Sequence, residues 1–520
     1  MATAPQPPST IASRFWEHAL QTPHRSAFAQ VVENRLQWYS WSELASGVLQ
    51  WIEELQRLAI IPGEPVASCL GNSLDWILLD LAAQTLGLMH VAIDVRETTV
   101  QQRQLWAMSG ARELIDGSYR RPSWPPGSTR LSLQQAQRLS TRVRPAEPAQ
   151  MLFTSGSAGA AKGVVLSHRN LVSNALAKLD AAPQQPTDVR LNVLPFAHAY
   201  ARTCELSTWI LTCGRLALAV DWADVLRQAP LVRPTLMNLV PYLAERAAEA
   251  LESEPASLGG RLRLLQIGGA AVEQPLWRRW VDLGLPPLQG YGLTEASPVV
   301  CSNRAGQQRP GSVGPAVSGV QLRVDDDRVL WCRGPNVMCG YWQNPQATAD
   351  AIVDGWLCTG DLADIAPDGY VSILGRANQQ IVLSTGYQVS PEPIERQLCL
   401  QPGVARALVY GQGRPYVVGL LWPDRPPGQF ENLSHRESAQ PLGVRLALHP
   451  PWHGSWEDAL RHLPRYAVPE RFAWIDEPLS HSAGLLTAKG SLRRSAIADR
   501  YRTTIERLYA GQREGAQGRS

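Results

Sequence analysis

The chain has 520 residues, enough for roughly three structural units and for a core that needs neither disulfides nor a metal to hold it together. Its 49 basic and 46 acidic side chains leave a net charge of +3, which supplies no whole-molecule field for nucleic acid or for an anionic membrane. The eight cysteines form no C-x-x-C pair and none lies at ligand spacing from a histidine, so no structural zinc site is expected, and reduced thiols in a cytoplasmic protein are.

Residues 1–8 are rich in Ala and Pro without the pattern of a signal peptide, and 11–20 read as an amphipathic helix. From 11 to 93, helical periods alternate with short apolar runs and turns such as Ile61-Pro62-Gly63, which predicts a parallel sheet with crossover helices. The apolar run 76–93 is broken by Asp80, Gln84 and His90, so it reads as a buried helix followed by a buried strand and not as a transmembrane segment. An Arg-, Ser- and Pro-rich stretch, 120–148, is expected to be an exposed connection. Strand-like runs at 150–154, 190–194, 215–220 and 264–267 predict a second α/β region. Residues 314–340 carry short alternating runs and tight turns, predicting an interlude of strands alone. Beyond Arg376 a smaller α+β pattern follows, interrupted by a Pro-rich segment at 423–451, and the last ten residues are expected to be disordered.

Three blocks point to chemistry. Phe153-Thr154-Ser155-Gly156-Ser157-Ala158-Gly159-Ala160-Ala161-Lys162-Gly163 follows a strand-like run and precedes a helical pattern near His168. Small residues there let backbone approach an anion, hydroxyls and N–H groups donate to it, and lysine neutralises charge. It is not a Walker A loop, which needs Gly at Ala161 and Ser or Thr at Gly163. In Gln289-Gly290-Tyr291-Gly292-Leu293-Thr294-Glu295 an aromatic ring suits a nucleobase and Glu295 suits Mg²⁺. In the third, Thr359-Gly360-Asp361 is followed by Asp368-Gly369-Tyr370 and Gly375-Arg376, a carboxylate and a guanidinium able to hold two ribose hydroxyls. Each block alone is compatible with an ordinary turn. Their occurrence together, in this order, is not.

Together these residues resemble the adenylate-forming (AMP-binding) superfamily over nearly the whole chain. Leu194-Pro195-Phe196-Ala197-His198-Ala199-Tyr200-Ala201-Arg202 and the segment from Ile381-Val382-Leu383-Ser384-Thr385-Gly386 to Glu395 are similar to its long-chain acyl-CoA synthetase-like branch. The resemblance implies an α/β fold: a large N-terminal domain (1–376) of two doubly wound α/β subdomains and a small β-barrel-like subdomain. A smaller, mobile α+β C-terminal domain (377–510) and a tail (511–520) would follow.

It also implies a fatty acid–CoA ligase. A medium- or long-chain fatty acid would attack ATP to give an acyl-adenylate and pyrophosphate, with Mg²⁺ as cofactor, and CoA would then displace AMP. The alternatives are an acyl carrier protein as the acceptor, or a divergent binding protein without catalysis. No nucleic-acid partner is implied, and peripheral membrane contact stays open. By resemblance, Thr154, Ser155, Gly156, Ser157, Gly159 and Lys162 would hold the phosphates. Gly269, Ala270 and Tyr291 would line the adenine, while Asp361 and Arg376 would hold the ribose. Thr294 would contact phosphate and Glu295 the metal; Asn378 falls at the hinge and Gly386 beside the CoA tunnel. His198 has two readings: a residue that orients substrate or gates the acyl tunnel, or a buried histidine bonded to backbone. The chain departs from the family pattern at Ala158, Ala161, Gln379 and Gln380. In the closing segment Ser491 aligns with the adenylating lysine, and Lys489 is the nearest lysine.

Overall fold

The computed structural model describes residues 10–119, 122, 130–155, 161–401, 403–423, 444–447, 460, 463–479, 483–486 and 492–510. The chain divides into two units, Met1–Thr359 with Asp364–Ser372, and Gly360–Ala363 with Ile373–Ser520. The expected tail 511–520 and most of the Pro-rich segment lie outside the described residues.

Two sheets organise the larger unit. The six-stranded one runs Gly340–Tyr341, Ala161–Ser167, Pro148–Ser155, Met89–Ala92, Pro65–Ser68, Leu114–Ile115. Its last four strands are parallel, and the first three pair antiparallel. The helix Leu74–Leu86 connects Pro65–Ser68 to Met89–Ala92 and is buried along nearly its whole length, as its near-continuous apolar sequence requires.

The eight-stranded sheet has the order Val299–Ser302, Leu288–Gly292, Leu264–Ile267, Leu236–Leu239, Val189–Asn192, Arg215–Leu218, Ser26–Val32, Arg35–Ser40. Its six central strands are parallel and both edges are antiparallel. Residues 26–40 are therefore a hairpin on the edge of this second sheet, not part of a crossover series continuous with 65–92. The turn at Glu33 and Asn34, both at positive φ, joins its strands.

Reciprocal caps fix where several helices start. Ser40 and Glu43, Thr98 and Gln101, Ser132 and Gln135, and Ser167 and Asn170 each exchange side-chain and backbone hydrogen bonds. The Ser132 cap marks a correction. The stretch expected to be an exposed connection contains the helix Leu133–Ser140, with Ala136 and Ser140 buried against helices Ile11–Gln21 and Leu74–Leu86. Its glutamines mask a short apolar stripe, whose packing and the Ser132 cap together stabilise so short a helix. Six tryptophans, Trp16, Trp41, Trp51, Trp76, Trp209 and Trp280, are fully buried packing residues.

Of a five-stranded sheet, Gln321–Val324 and Val329–Arg333 fall within the expected interlude 314–340, while Trp356–Ile365, Ile352–Val353 and Val371–Arg376 lie beyond it, past the helix Pro345–Ala351. In the smaller unit, a four-stranded sheet runs Val404–Tyr410, Val418–Pro423, Arg471–Ile475, Val444–Ala447. Alternate residues serve opposite faces: Ala407, Val409 and Leu421 pack with Ile394 and Leu398 of the helix Pro391–Cys399. Leu408, Leu420 and Ile475 pack with Ile497, Ile505 and Leu508 of the closing helices. The Glu395 carboxylate ties the layers together, accepting from the Val409 N–H at 2.6 Å and from Arg494 at 2.7 Å. No helix among the described residues is long and apolar enough to cross a membrane.

Candidate active site

The described parts of the first chemical block lie on two paired antiparallel strands. Thr154, near the end of the strand Pro148–Ser155, pairs in register with Lys162 of Ala161–Ser167. Gly156, Ser157 and Gly159 lie outside the described residues, as does the Ser155 side chain. Gly163 has a packing reason of its own: a Cβ there would stand 2.8 Å from the Met151 sulfur and 3.3 Å from the Trp342 Cβ. The adjacent strand Gly340–Tyr341 is held by the Cys339 N–H on the Val165 carbonyl and the Trp342 N–H on the Gly163 carbonyl.

That pairing brings Tyr341 between two expected site residues. The Lys162 ammonium lies over its ring, 4.8 Å from the centroid, and its hydroxyl donates to Glu295 Oε1 at 2.9 Å. Burial, then the Glu295 carboxylate, push the Tyr341 phenol well above its ordinary value, so it stays a donor. Glu295 sits in the one-turn helix Thr294–Ala296, and its carbonyl accepts the Met338 N–H at 2.9 Å. Sequence reading passed over Tyr341, because nothing near it in the chain marks it.

The Tyr291 block is a tight return between Leu288–Gly292 and Val299–Ser302. A Cβ on Gly292 would meet the Pro298 carbonyl oxygen at 1.8 Å, so only glycine fits. Gly269, at φ 81°, and Ala270 are exposed just past the strand Leu264–Ile267.

The His198 side chain is not buried and bonded to backbone, which corrects one of its two readings. A quarter of its side chain is exposed, and its Nε2 lies 3.0 Å from Asp94 Oδ2 and 2.9 Å from Arg96 Nη2. One nitrogen cannot serve both: as N–H it donates to Asp94, as a lone pair it accepts from Arg96. Burial works against the Asp94 carboxylate, but His198 and Arg96 hold it well below the usual carboxylate range. Asn72 steadies the start of the segment, donating to the Leu194 carbonyl at 2.8 Å and accepting from the Phe196 N–H at 3.0 Å. Arg202, which closes the same segment, is fully buried and meets Asp80 at 3.0 Å. His90 and Gln84 also hydrogen-bond this carboxylate.

In the smaller unit Arg376 Nε meets Asp361 Oδ1 at 2.8 Å; the carboxylate is buried and the guanidinium half exposed. Asn378 lies in the short turn Ala377–Gln379. Gly386, exposed and at φ 87°, turns the chain between Ile381–Val382 and Gln388–Val389. The neighbouring Tyr387 stacks on Tyr466 with centroids 4.3 Å apart. Lys489 and Ser491 lie outside the described residues; Leu486 and Leu492 on either side pair as an isolated antiparallel bridge.

No group of three or more His, Cys, Asp or Glu among the described residues could hold a metal. Glu295 nevertheless fits magnesium, which keeps several waters and needs one or two carboxylates plus substrate phosphates.

These features define a class. The chain belongs to the AMP-binding enzyme family, which matches residues 15–342, and the C-terminal domain of those enzymes matches residues 378–443. Within the adenylate-forming superfamily it stands with the AMP-forming acyl- and aryl-CoA ligases. A long-chain-fatty-acid–CoA ligase, FadD15, of Mycobacterium bovis is 25% identical over 96% of this chain and 97% of its own. A feruloyl-CoA synthase of an Amycolatopsis species is 30% identical over 72% of this chain and 81% of its own. Among solved structures, ATP-bound MatB of Rhodopseudomonas palustris superposes with a TM-score of 0.75 at 22% identity, covering 95% of this chain and 99% of that one. The fold shared with MatB is the mixed α/β architecture described above.

Proposed function

We propose that the protein is an ATP-dependent fatty acid–CoA ligase acting on a medium- or long-chain acid. The carboxylate attacks the α-phosphorus of ATP, pyrophosphate leaves, and the CoA thiolate then displaces AMP from the acyl-adenylate. The observation that carries this reading is the set Lys162, Tyr341 and Glu295. It gathers a cation, a hydroxyl donor and a metal-binding carboxylate at the base of a hairpin rich in glycine and serine. Magnesium, when bound at Glu295, would neutralise charge on the phosphate oxygens. Lys162, Thr154, Ser155, Gly156, Ser157 and Gly159 would hold the phosphates, with Thr294 nearby; Tyr291, Gly269 and Ala270 would line the adenine. Asp361, pre-aligned by Arg376, would take the ribose hydroxyls. Supporting the choice of acid and acceptor are a relative named for long-chain fatty acids and CoA and the similarity of 194–202 and 381–395 to that branch. The domains would be 1–376 and 377–510, the protein cytoplasmic.

ATP–pyrophosphate exchange across a panel of carboxylic acids, repeated with CoA, tests the reading. Exchange without thioester formation on CoA points to a carrier protein as acceptor, and ATP binding without exchange points to a non-catalytic homologue.

Two residues separate the half-reactions. Lys489→Ala should lower exchange by about 100-fold, the scale of losing one preorganised charge-stabilising donor. Transfer from a supplied acyl-adenylate should change little, and Ser491→Lys in that background should restore part of the exchange. Undiminished exchange would make Lys489 a bystander. Asn378→Pro should fix φ near −65° and hinder the turning of the smaller domain. Adenylation and thioester formation should then fall by different factors; equal losses would remove Asn378 as the pivot.

A further inference from the structure

Three stretches of chain meet around Glu295, and polar side chains bond each of them to the other two. The first is the strand Ala161–Ser167, which carries Lys162, together with the helix His168–Ala181 that follows it directly. The second is 335–342, which holds Tyr341. The third is 294–302, which opens on Thr294 and Glu295.

Asn170, Asn174 and Lys178 recur every fourth residue along the helix and so share one face. Such a face belongs in water, yet all three residues are at most 5% exposed. Asn170 gives both amide protons to the second stretch, to the Pro335 carbonyl at 2.7 Å and the Val337 carbonyl at 2.8 Å. Asn174 meets the third stretch as a neighbouring strand would. It donates to the Val299 carbonyl at 2.7 Å and accepts from the Val299 N–H at 2.9 Å, on the edge strand of the eight-stranded sheet. Lys178 adds a bond to the Ser302 hydroxyl at 2.8 Å.

The second and third stretches are joined as closely. Three successive carbonyls accept bonds from outside their own turn. That of Glu295 takes the Met338 N–H at 2.9 Å, and that of Ala296 takes the Asn336 amide at 3.2 Å. That of Ser297 takes the Thr203 hydroxyl at 2.7 Å, from the π-helix Arg202–Ser207. In return the Ser297 hydroxyl donates to the Asn336 carbonyl at 2.7 Å. Thr203, Ser297 and Asn336 are at most 1% exposed.

Apolar packing would hold these stretches together without fixing any one atom, whereas a hydrogen bond sets both distance and direction. Three sides bonded in this way resist shear: moving Glu295 relative to Lys162 breaks bonds along two sides at once. We propose that Asn170, Asn174 and Asn336 are positioning residues for the adenylation step. They fix the spacing between Glu295 and Lys162, so that metal and phosphate are met together. This rests on the reading of Glu295 as a magnesium ligand in the ligase above, and it adds the residues that hold it in place. Residues that orient a metal ligand are worth about 10- to 100-fold in metal affinity or activity.

ATP binding should be measured by calorimetry with and without Mg²⁺, beside pyrophosphate exchange. In Asn174→Ala and Asn336→Ala, the gain in ATP affinity that Mg²⁺ brings should shrink by about 10-fold or more. Exchange should slow by the same order, and metal-free ATP binding should change little. Asn336→Ala removes a single side-chain bond, so it carries the test should Asn174→Ala fail to fold. In a Glu295→Ala background neither change should shrink the gain further, because the group being positioned is gone; an added loss there would overturn the proposal. Thr235→Val serves as control, since it breaks buried bonds with the Val189 N–H and Asp188 at the opposite ends of the strands. It should lower stability to urea and leave the magnesium gain at its wild-type size. If both asparagine variants keep the wild-type gain, the asparagines serve folding alone, and this inference falls while the ligase reading stands. If no acid supports exchange in the wild type, the ligase reading falls and takes this inference with it.

Discussion

Glu295→Ala should depress carboxylate-dependent pyrophosphate exchange by about 100- to 1000-fold, the cost of removing one preorganised electrostatic partner from charge developing on phosphate. The fold should survive. The Glu295 side chain is half-buried, and the Tyr341 hydroxyl it binds can turn to solvent. Glu295→Gln, which keeps the hydrogen bond from Tyr341 but loses the charge, should fail nearly as badly, separating metal binding from the positioning of Tyr341. Tyr341→Phe, by contrast, should cost much less in rate. Exchange at wild-type speed in Glu295→Ala would mean that the carboxylate holds only Tyr341.

The second large effect is on stability. Arg202→Ala should destabilise the larger unit by about 3–5 kcal/mol, because it leaves the Asp80 carboxylate buried without its cation. Burial alone would raise the Asp80 carboxyl; Arg202 and His90 more than offset this and hold it low. Stability drawn from that depressed carboxyl is fully present above the unfolded value of about 4 and is lost as pH falls through the folded one. Replacing both partners, Asp80→Leu with Arg202→Met, should cost far less than the single change, since no lone charge remains. Urea unfolding of both variants checks this. A loss below about 1 kcal/mol in Arg202→Ala would show that water reaches Asp80.

What could be read from the sequence was local. The run 76–93 resolves into the helix Leu74–Leu86 and the strand Met89–Ala92, because apolar content with only Asp80, Gln84 and His90 interposed has no other soluble solution. The three interruptions turn out to be one network: Asp80 bonds His90 and Gln84, and His90 bonds Ser68. The motif glycines were legible as motif, but the clashes that demand Gly163 and Gly292 come from Trp342, Met151 and Pro298 and could not be seen. His198 was found by pattern, and its partners Asp94 and Arg96 were not, since they sit a hundred residues earlier, past the end of a strand in a different sheet. The helix Leu133–Ser140 escaped for the opposite reason: its composition is polar, and its Ser132–Gln135 cap was passed over.

The π-helix has a consequence for how such a protein changes over generations. A π turn closes i to i+5 where an α turn closes i to i+4, so 202–207 carry one residue beyond what an α-helix would need. Losing a single codon within this stretch lets the helix close as α while the turns on either side keep their facing, because the π turn is what accommodates the extra residue. A one-residue deletion is therefore tolerated here, whereas the strand glycines at 163 and 292, pressed by their neighbours, admit not even a methyl group.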